Sequence, residues 1–303
     1  MSAQPMMFRS RAVITETMLM RVRSVILSLL ITVLLAGCLK PEMSVTILED
    51  TVIDDAQTWS GVVRIRGVVT IKKSGHLTIT PGTRIEFVRI DRDGDAIGDG
   101  EILIEGGVTA VGTPEAPILL TSAEKRPEKA DWKYLYLDFA RHAEIEYVIS
   151  EYAYSGIQVH FCKASVKNSV FRHNVDGIRF STVNIEVSGN RIYGNSNGLR
   201  YEERNSTAHI HHNDIRQNEI GLFVPTRSDD KAVIENNNIV ENRRGNVLLG
   251  LSQSGDITLP RNWWGTTDEQ AIAATFFDYQ YDKSLGRVRA EEPLAAPVSI
   301  FVE

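Results

Sequence analysis

The chain has 303 residues, of which 43% are hydrophobic and 24% are charged, and its formal net charge is −6. This acidic composition of mixed charges argues against nucleic acid as a partner. The two cysteines, Cys38 and Cys162, take part in no C-x-x-C or Cys/His spacing, which excludes a zinc site of the usual cysteine-based kind.

Residues 1–38 have the pattern of a bacterial lipoprotein signal peptide. Two arginines precede an apolar run over residues 25–35, which is too short for a membrane span. The run ends in Leu-Ala-Gly-Cys, which resembles a lipobox, and in proteins with that motif the Cys is lipidated and becomes the first residue. The resemblance therefore implies a lipid on Cys38, followed by a short tether over residues 39–43.

The residue after Cys38 bears on which membrane holds the lipid. In lipoproteins of this kind an Asp at that position marks inner-membrane retention, whereas this chain has Leu39. The resemblance therefore implies the outer membrane, in an organism that has one. Removal of residues 1–38 would take away four Arg and one Glu and leave a net charge of −9. Cys162 would then have no partner for an intramolecular disulfide.

The next segments have the alternation of short strands. Apolar and polar residues alternate over 62–87 and again over 102–121, around several glycines.

An acidic loop lies between these two segments. Its carboxylates alternate through a Gly-rich stretch: Asp91, Asp93, Asp95, Asp99 and Glu101. Oxygen-rich loops of this kind bind hard cations such as Ca²⁺, although Ala96 and Ile102 depart from the EF-hand pattern. We predict a structural Ca²⁺ that holds the loop. A plain acidic loop is the alternative.

A second short segment, residues 131–137, alternates aromatic and aliphatic side chains. Trp132, Tyr134 and Tyr136 share one face of the predicted strand, and Leu135 and Leu137 share the other. If the leucines face the core, the three aromatics form an exposed surface suited to sugar rings. The alternative is that the loop at 122–130 folds over them.

Four segments then repeat an Asn, two residues and a Gly. They are Asn174/Gly177, Asn195/Gly198, Asn218/Gly221 and Asn242/Gly245, so the glycines recur after 21, 23 and 24 residues. Apolar residues stand eight and three positions before each Asn: Val166, Val187, Ile210 and Ile234, and Phe171, Ile192, Ile215 and Ile239. This period predicts a solenoid in which each repeat is one turn of a parallel β-helix. The apolar positions would form inward columns, and the asparagines a ladder at one corner where the following Gly is conformationally permissive.

Outward positions of the same repeats form a polar patch. They hold Gln158, Arg179 and Arg200 two residues after each Gly, and His160, Ser181 and Glu202 four residues after it. Arg179 and Arg200 could bind a carbohydrate carboxylate. The alternative is an ordinary solvated strand face.

A histidine cluster at 209–212 is the second metal candidate. His209 and His211 share one side of their strand, which suits a metal ion. No carboxylate or Cys partner is evident nearby in the sequence, which favours solvated histidines.

Two regions of the sequence resemble a known family. One is Leu-Thr-Ile-Thr-Pro-Gly-Thr-Arg-Ile-Glu-Phe at 77–87, and the other is Asn-Trp-Trp-Gly-Thr-Thr at 262–267 with the segments to 294. Together with the repeats, these make residues 44–297 similar to bacterial right-handed parallel β-helix proteins of the pectin-lyase-like superfamily. The resemblance implies an all-β, single-stranded right-handed parallel β-helix of about ten turns over 44–262. It also implies a C-terminal cap and tail over 263–303, with a helix near 268–274.

The resemblance is specific for the fold and poor for the activity, because this fold hosts lyases, hydrolases, adhesins and structural proteins. Enzymes of the superfamily use Arg or Lys bases with Asp-bound calcium, or clustered Asp residues with a Gly-His-Gly motif. We find neither pattern here. We expect a monomeric, exported, lipid-anchored protein that binds or scaffolds at the cell envelope without catalysis, with a polysaccharide or another envelope protein as ligand. The alternative is a polysaccharide lyase or glycoside hydrolase acting on an acidic glycan.

Overall fold

The computed structural model describes residues 45–204 and 206–300. The predicted signal peptide, the lipidation site Cys38 and the tether at 39–43 lie outside the described residues. Within the described ranges, no helix is long and apolar enough to cross a membrane.

The described chain consists of short strands joined by turns and loops, with one short helix. The strands are β1 Val45–Ile53, β2 Ala56–Trp59, β3 Val62–Ile71, β4 His76–Ile79, β5 Arg84–Phe87, β6 Glu101–Ile104, β7 Gly107–Val111, β8 Ile118–Ser122, β9 Trp132–Asp138, β10 His142–Glu146, β11 Val148–Glu151, β12 Ala153–His160, β13 Lys163–Lys167, β14 Val170–Arg172, β15 Asp176–Ser181, β16 Asn184–Ser188, β17 Arg191–Tyr193, β18 Asn197–Glu202, β19 Thr207–His211, β20 Asp214–Arg216, β21 Ile220–Thr226, β22 Val233–Glu235, β23 Asn238–Val240, β24 Gly245–Ser252, β25 Ile257–Thr258, β26 Phe276–Phe277 and β27 Val288–Arg289. The helix, α1, spans Glu269–Ala273.

The strands pair in parallel with the strands of the turns before and after them. One strand from each of eight successive turns forms an 8-stranded sheet in the order β2-β4-β7-β10-β13-β16-β19-β22. Seventeen of the other strands form a second sheet, in which β1 and β3 each run along two faces of the coil. The last two, β25 and β27, pair in a separate two-stranded sheet. This topology confirms the predicted parallel β-helix.

The inward columns form as the repeat predicts. Phe171, Ile192, Ile215 and Ile239 are each at most 1% exposed and pair in register from turn to turn. The column from Val166 to Ile234 is equally buried. Full burial of one such side chain contributes about 1.5–3 kcal/mol, so the stacked turns stabilise one another as a single turn could not.

The predicted asparagine ladder is present at one corner. The Asn195 side-chain amide donates to Asn218 Oδ1 and to the Phe171 carbonyl, both at 3.0 Å. Asn218 donates in the same way to Asn242 Oδ1 at 3.1 Å. The ladder thus satisfies backbone groups that the bend between strands would otherwise leave unpaired.

A second ladder, which the sequence reasoning missed, lies at another corner. It consists of Asn190, Asn213, Asn237 and Asn262, joined by amide-to-carbonyl bonds of 2.9–3.0 Å. Each of its first three members stands three residues after Val187, Ile210 or Ile234. The asparagines of the first ladder likewise stand three residues after Phe171, Ile192 and their equivalents. The spacing of three residues from a buried aliphatic or aromatic position could therefore have predicted both ladders.

Three of the four glycines of the repeat have a different role from the one predicted. Gly177, Gly198 and Gly221 do not have positive φ, whereas Gly245 has a φ of +159°, close to extended backbone. Instead, a Cβ on Gly177 would lie 2.5 Å from the Gly198 carbonyl oxygen of the next turn. Close approach of neighbouring backbones, and not left-handed conformation, therefore requires glycine at this position.

The predicted helix of the C-terminal segment is also present. Asp268 caps α1 by accepting hydrogen bonds from the backbone N–H groups of Gln270 and Ala271. Trp264 is 4% exposed and packs edge-on against Phe276, whose strand β26 pairs with β24. This packing covers the core at the last turn. The boundaries proposed for the cap and tail stay a prediction.

Candidate functional site

The aromatic segment at 132–136 differs from its predicted arrangement. Trp132 is fully buried, stacks on Phe87 with ring centroids 4.1 Å apart, and donates from Nε1 to the Glu151 carbonyl. The prediction that it is exposed was wrong. Lys133 and Tyr134 are both half-buried in succession, so the in–out alternation breaks at the corner where β9 begins. Leu135 and Leu137 are buried, as predicted.

Tyr134 and Tyr136 remain on the outer side of β9, half-buried and edge-to-face with each other. The Tyr136 hydroxyl lies 3.0 Å from His160 Nδ1. Burial, with the nearby Asp138 carboxylate, raises the pKa of Tyr136 to about 12. Burial and Arg179 lower the pKa of His160. Both groups are therefore neutral, and either can donate in the hydrogen bond between them.

The predicted polar columns form in register. Gln158, Arg179 and Arg200 pair across β12, β15 and β18, as do His160, Ser181 and Glu202. Gln158 is only 7% exposed, so it does not belong to the open surface. The structure thus brings His160, Arg179, Arg200 and Glu202 together along one shallow groove. Their role in ligand binding stays a prediction.

Two exposed phenylalanines adjoin this groove and were missed by sequence reasoning. Phe139 and Phe161 are 58% and 50% exposed and stack with ring centroids 4.7 Å apart. Each follows the last residue of an outward strand, Asp138 or His160, and they stand 22 residues apart. That repeat spacing was the signal that could have identified them.

The acidic loop divides into two parts, which corrects the predicted five-carboxylate site. Asp91, Asp93 and Asp95 are exposed and place ligand atoms within 4.8 Å of one another. Their carboxylates already accept backbone N–H groups of the loop itself. Asp99 is instead 8% exposed, accepts from the Arg92 backbone and lies 3.5 Å from Lys133 Nζ.

Glu101, the fifth residue of the predicted site, is half-buried on β6. Burial raises the pKa of its carboxyl group, and Lys133 opposes this increase. Neither Asp99, which lies beside Lys133, nor Glu101, which stands on β6, joins the group of three exposed aspartates. Calcium binding at the loop stays a prediction that rests on the three exposed aspartates alone.

The histidines at 209–212 have the carboxylate partners that the sequence did not reveal. His209 Nε2 lies 3.4 Å from a Glu235 carboxylate oxygen, and His211 Nε2 lies 3.6 Å from one of Glu186. The two glutamates stand on β22 and β16, the strands on either side of β19 in the 8-stranded sheet. The turns of the solenoid thus supply both carboxylates to one histidine strand.

The two ring nitrogens of these histidines have different surroundings. A carboxylate beside Nε2 favours the tautomer that carries its proton there, which leaves Nδ1 with a free lone pair. His211 Nδ1 lies 2.9 Å from His212 Nδ1, and the rings of His209 and His211 have centroids 4.2 Å apart. The cluster offers close pairs of nitrogens, and a three-ligand arrangement would require the exposed His209 ring to rotate.

Electrostatics keep the His211 ring neutral beside ionised glutamates. Burial, followed by His209 and His212, lowers the pKa of His211, so its ring is neutral. Lys167 lowers the pKa of Glu186. Burial raises the pKa of Glu235, but Arg261 and His209 outweigh that effect and lower it overall. A neutral imidazole beside ionised carboxylates is a donor set for borderline transition metals.

Soft sulfur ligands are scarce in the same region. Residues 45–300 contain no methionine, and their one cysteine, Cys162, is buried. Burial raises the pKa of the Cys162 thiol to about 12, so it is not a thiolate. The donor set of the described chain therefore fits Cu(II), Ni(II) or Zn(II) better than Cu(I).

Comparison with known proteins gives one family. The sequence profile of the family described as "Periplasmic copper-binding protein (NosD)" matches residues 89–270, which is 182 of the 303 residues. No characterised protein and no solved structure gave a significant match. The matched residues include the acidic loop, the groove and the histidine cluster. A periplasmic family confirms the expectation of an exported β-helix repeat protein, and the chain belongs to the NosD family.

Proposed function

We propose that this protein is an exported binding protein of the cell envelope that holds copper on the outer face of its 8-stranded sheet. The observation that carries this proposal is the pairing of His209 with Glu235 and of His211 with Glu186 across neighbouring turns. Such carboxylate–histidine pairs orient imidazole ligands and raise their basicity in metal sites. The family's description as copper-binding supplies the metal.

The residues present fit Cu(II). His209, His211 and His212 would hold the ion through imidazole nitrogens, and the two glutamates would orient the first two rings. In this proposal the protein binds and holds the copper ion, and the ion takes part in no reaction. The three rings are partly exposed, so an ion could enter and leave from solvent.

Titration of the purified, untagged protein with Cu(II), followed by calorimetry and electron paramagnetic resonance, tests this site. We expect one bound ion with nitrogen hyperfine coupling. His211→Ala together with His212→Ala should weaken binding at least tenfold, since it removes two imidazoles. His142→Ala is the matched control, because His142 is exposed on the same sheet. Equal binding by the wild type and the double variant would overturn the assignment.

The proposed anchor is a lipid on Cys38, and Leu39 favours the outer membrane. Cys38→Ala, or inhibition of lipoprotein signal peptidase, should move the protein from the membrane fraction to the soluble periplasm. A protein that stays in the membrane fraction after both treatments is not held by this lipid.

Calcium at the acidic loop is a further proposed ligand, restricted to Asp91, Asp93 and Asp95. Removal of Ca²⁺ with EGTA should lower the melting temperature if the ion ties the loop down. The triple change of these aspartates to Asn should abolish the difference. Identical melting of the wild type with calcium and with EGTA would argue against the ion.

Carbohydrate binding is the second candidate function, and the exposed Phe139–Phe161 stack favours it. Large apolar side chains that remain exposed to solvent often belong to interaction surfaces, and flat aromatic rings can stack on the apolar faces of sugar rings. We propose binding without cleavage. New reducing or unsaturated ends on acidic glycans, lost in Arg179→Ala, would instead support a lyase or hydrolase.

A further inference from the structure

The groove beside the Phe139–Phe161 stack holds positive charges that carboxylates of the described chain do not fully neutralise. It encloses about 270 Å³ and is lined by His160, Phe161, Arg179, Arg200 and Glu202, among others. Phe161 belongs both to the stack and to the lining. The aromatic platform and the arginines therefore form one continuous surface, here called the Phe–Arg groove.

Arg179 and Arg200 are neighbours on successive turns, and neither is well neutralised. Arg179 makes no ion pair within the described ranges, unlike Arg172 on the preceding strand β14, which lies 2.7 Å from Glu151. Arg200 has Asp176 at 3.6 Å and also lies over the Phe223 ring. Paired strands are about 4.8 Å apart, so the two like charges repel each other until an anion binds.

Asp176 is a poor counter-charge for these arginines. Its side chain is fully buried, and its Oδ1 accepts from Asn197 at 2.7 Å while Oδ2 has no hydrogen-bond partner in the described chain. Burial raises the pKa of its carboxyl group, although Asn197 and the arginines oppose the increase. A carboxylate that is costly to ionise leaves net positive charge in the groove.

The neighbouring polar groups point to a hydroxylated ligand. The Tyr136 hydroxyl and His160 Nδ1 share a hydrogen bond, and His160 Nε2 is a second polar atom that donates or accepts according to the tautomer. Ser181 and Thr182 also line the groove and can donate or accept. Neutral donors and hydroxyls beside a guanidinium pair match a sugar with an anionic substituent.

The phenylalanines stand at a bend that recurs along the coil. Phe139 and Phe161 have φ of +55° and +49°, and Thr182 and Arg227, which directly follow β15 and β21, have φ of +54° and +58°. The left-handed conformation is therefore a regular feature of this corner. What distinguishes Phe139 and Phe161 is that large aromatic rings stand there and stay exposed.

We propose that the Phe–Arg groove binds an anionic saccharide. The Phe139–Phe161 platform stacks on a sugar ring, and Arg179 and Arg200 bind its carboxylate or sulfate group through their guanidinium forks. This inference rests on the proposed carbohydrate-binding role and names the charge class of its ligand. It is independent of the copper site, which lies on the other sheet.

Three hexasaccharides test the charge requirement by calorimetry: oligogalacturonate, the same oligomer fully methyl-esterified, and a heparin-derived sulfated hexasaccharide. We expect at least one anionic oligomer to bind ten times more tightly than the methyl ester. The carboxylated and sulfated oligomers distinguish the two sources of negative charge. Because the interaction is ionic, the preference should shrink as salt increases.

Variants assign the preference to the groove. Arg179→Gln should weaken anionic binding at least fivefold, and Arg179→Lys should give a smaller loss because it retains charge without the fork. Phe161→Ala should weaken all three oligomers to a similar degree. Arg191→Gln is the matched control, since Arg191 is exposed on β17 and makes no ion pair in the described chain. Melting curves establish that each variant is folded.

The outcomes distinguish the preference for an anionic saccharide from carbohydrate binding itself. Binding of the methyl ester as tightly as the anionic oligomers, or an anionic preference that survives Arg179→Gln with Arg200→Gln, overturns the charge inference and leaves carbohydrate binding in place. Failure of all three oligomers to bind overturns both.

Discussion

Two regions of the solenoid handle buried polar groups in different ways. In the regular turns from β13 to β24, the buried polar side chains are mostly amides that bond to their equivalents in the next turn. In the irregular turns around residues 88–131, they include carboxylates such as Asp99 and Asp131, each held by its own set of partners. An amide can repeat on every turn because it is neutral and both donates and accepts. Stacked carboxylates would repel one another, so each needs an individual environment.

The largest loss of stability is expected when one asparagine is removed from a ladder of the regular region. Asn195→Ala would leave the Asn174 N–H and the Phe171 carbonyl without partners, both at buried positions. Each unsatisfied group costs about 1–3 kcal/mol, so we expect a loss of about 2–6 kcal/mol in the free energy of unfolding. Chemical denaturation measures this loss.

Asn184→Ala is the matched control, because Asn184 is exposed on β16. Its stability should change by less than about 0.5 kcal/mol. A similar effect of the two substitutions would mean that the ladder is not a stabilising element.

The stability of the irregular region should depend on Asp131, whose hydrogen bonds are not repeated in neighbouring turns. Its Oδ2 accepts from Ser122 Oγ at 2.7 Å and from the Glu128 N–H at 3.0 Å, and its Oδ1 lies 3.4 Å from Arg89. Asp131→Ala should destabilise the fold by about 1–3 kcal/mol. Asp131→Asn should cost less, because its carbonyl oxygen can still accept.

Asp93→Ala, in the exposed part of the acidic loop, is the control and should change stability by less than about 0.5 kcal/mol in the absence of calcium. If it matched Asp131→Ala, the distinction between the buried carboxylate and the exposed ones would fail.

The same contrast explains what the sequence could predict. Residues that repeat at the period of the coil, such as Phe171 and Ile192, or Arg179 and Arg200, have positions that follow from the spacing alone. Trp132 does not, because the alternation breaks at a corner whose geometry depends on neighbouring turns. The Glu186 and Glu235 partners of the histidines were equally hidden, since contact between turns depends on a register that varies when the repeat grows from 21 to 24 residues.

Both proposed binding surfaces use this property of the solenoid. The His209 strand gains its carboxylates from the turns on either side, and the Phe–Arg groove gains its two arginines from successive turns. Short segments that carry little chemistry alone become sites when stacked. Binding sites in such chains are therefore formed by residues at equivalent positions of successive turns, and these residues are far apart in the sequence.

The smallest expected effect concerns Asp176, a carboxylate within the regular region. Burial raises its pKa in the folded state above the ordinary 3.8, so the folded protein binds this proton more tightly than the unfolded chain does. The contribution of Asp176 to stability is therefore most favourable below pH 3.8 and declines as the pH rises through the folded-state pKa. Asp176→Asn removes this dependence and still accepts from Asn197. We expect a gain of about 1 kcal/mol at pH 7, the order of one net hydrogen bond, and none near pH 3.

Asp176→Asn should act on binding as well as on stability. It removes the carboxylate nearest to Arg200, so anionic hexasaccharides should bind more tightly at neutral pH while the methyl ester is unaffected. Asp54→Asn, at an exposed position, should change neither property. Stability profiles from pH 3 to pH 7 and calorimetric titrations measure the two effects on the same samples. A variant that lost stability at pH 7 would show that the Asp176–Arg200 attraction outweighs the cost of burying the charge, and the groove would then be less positive than the inference requires.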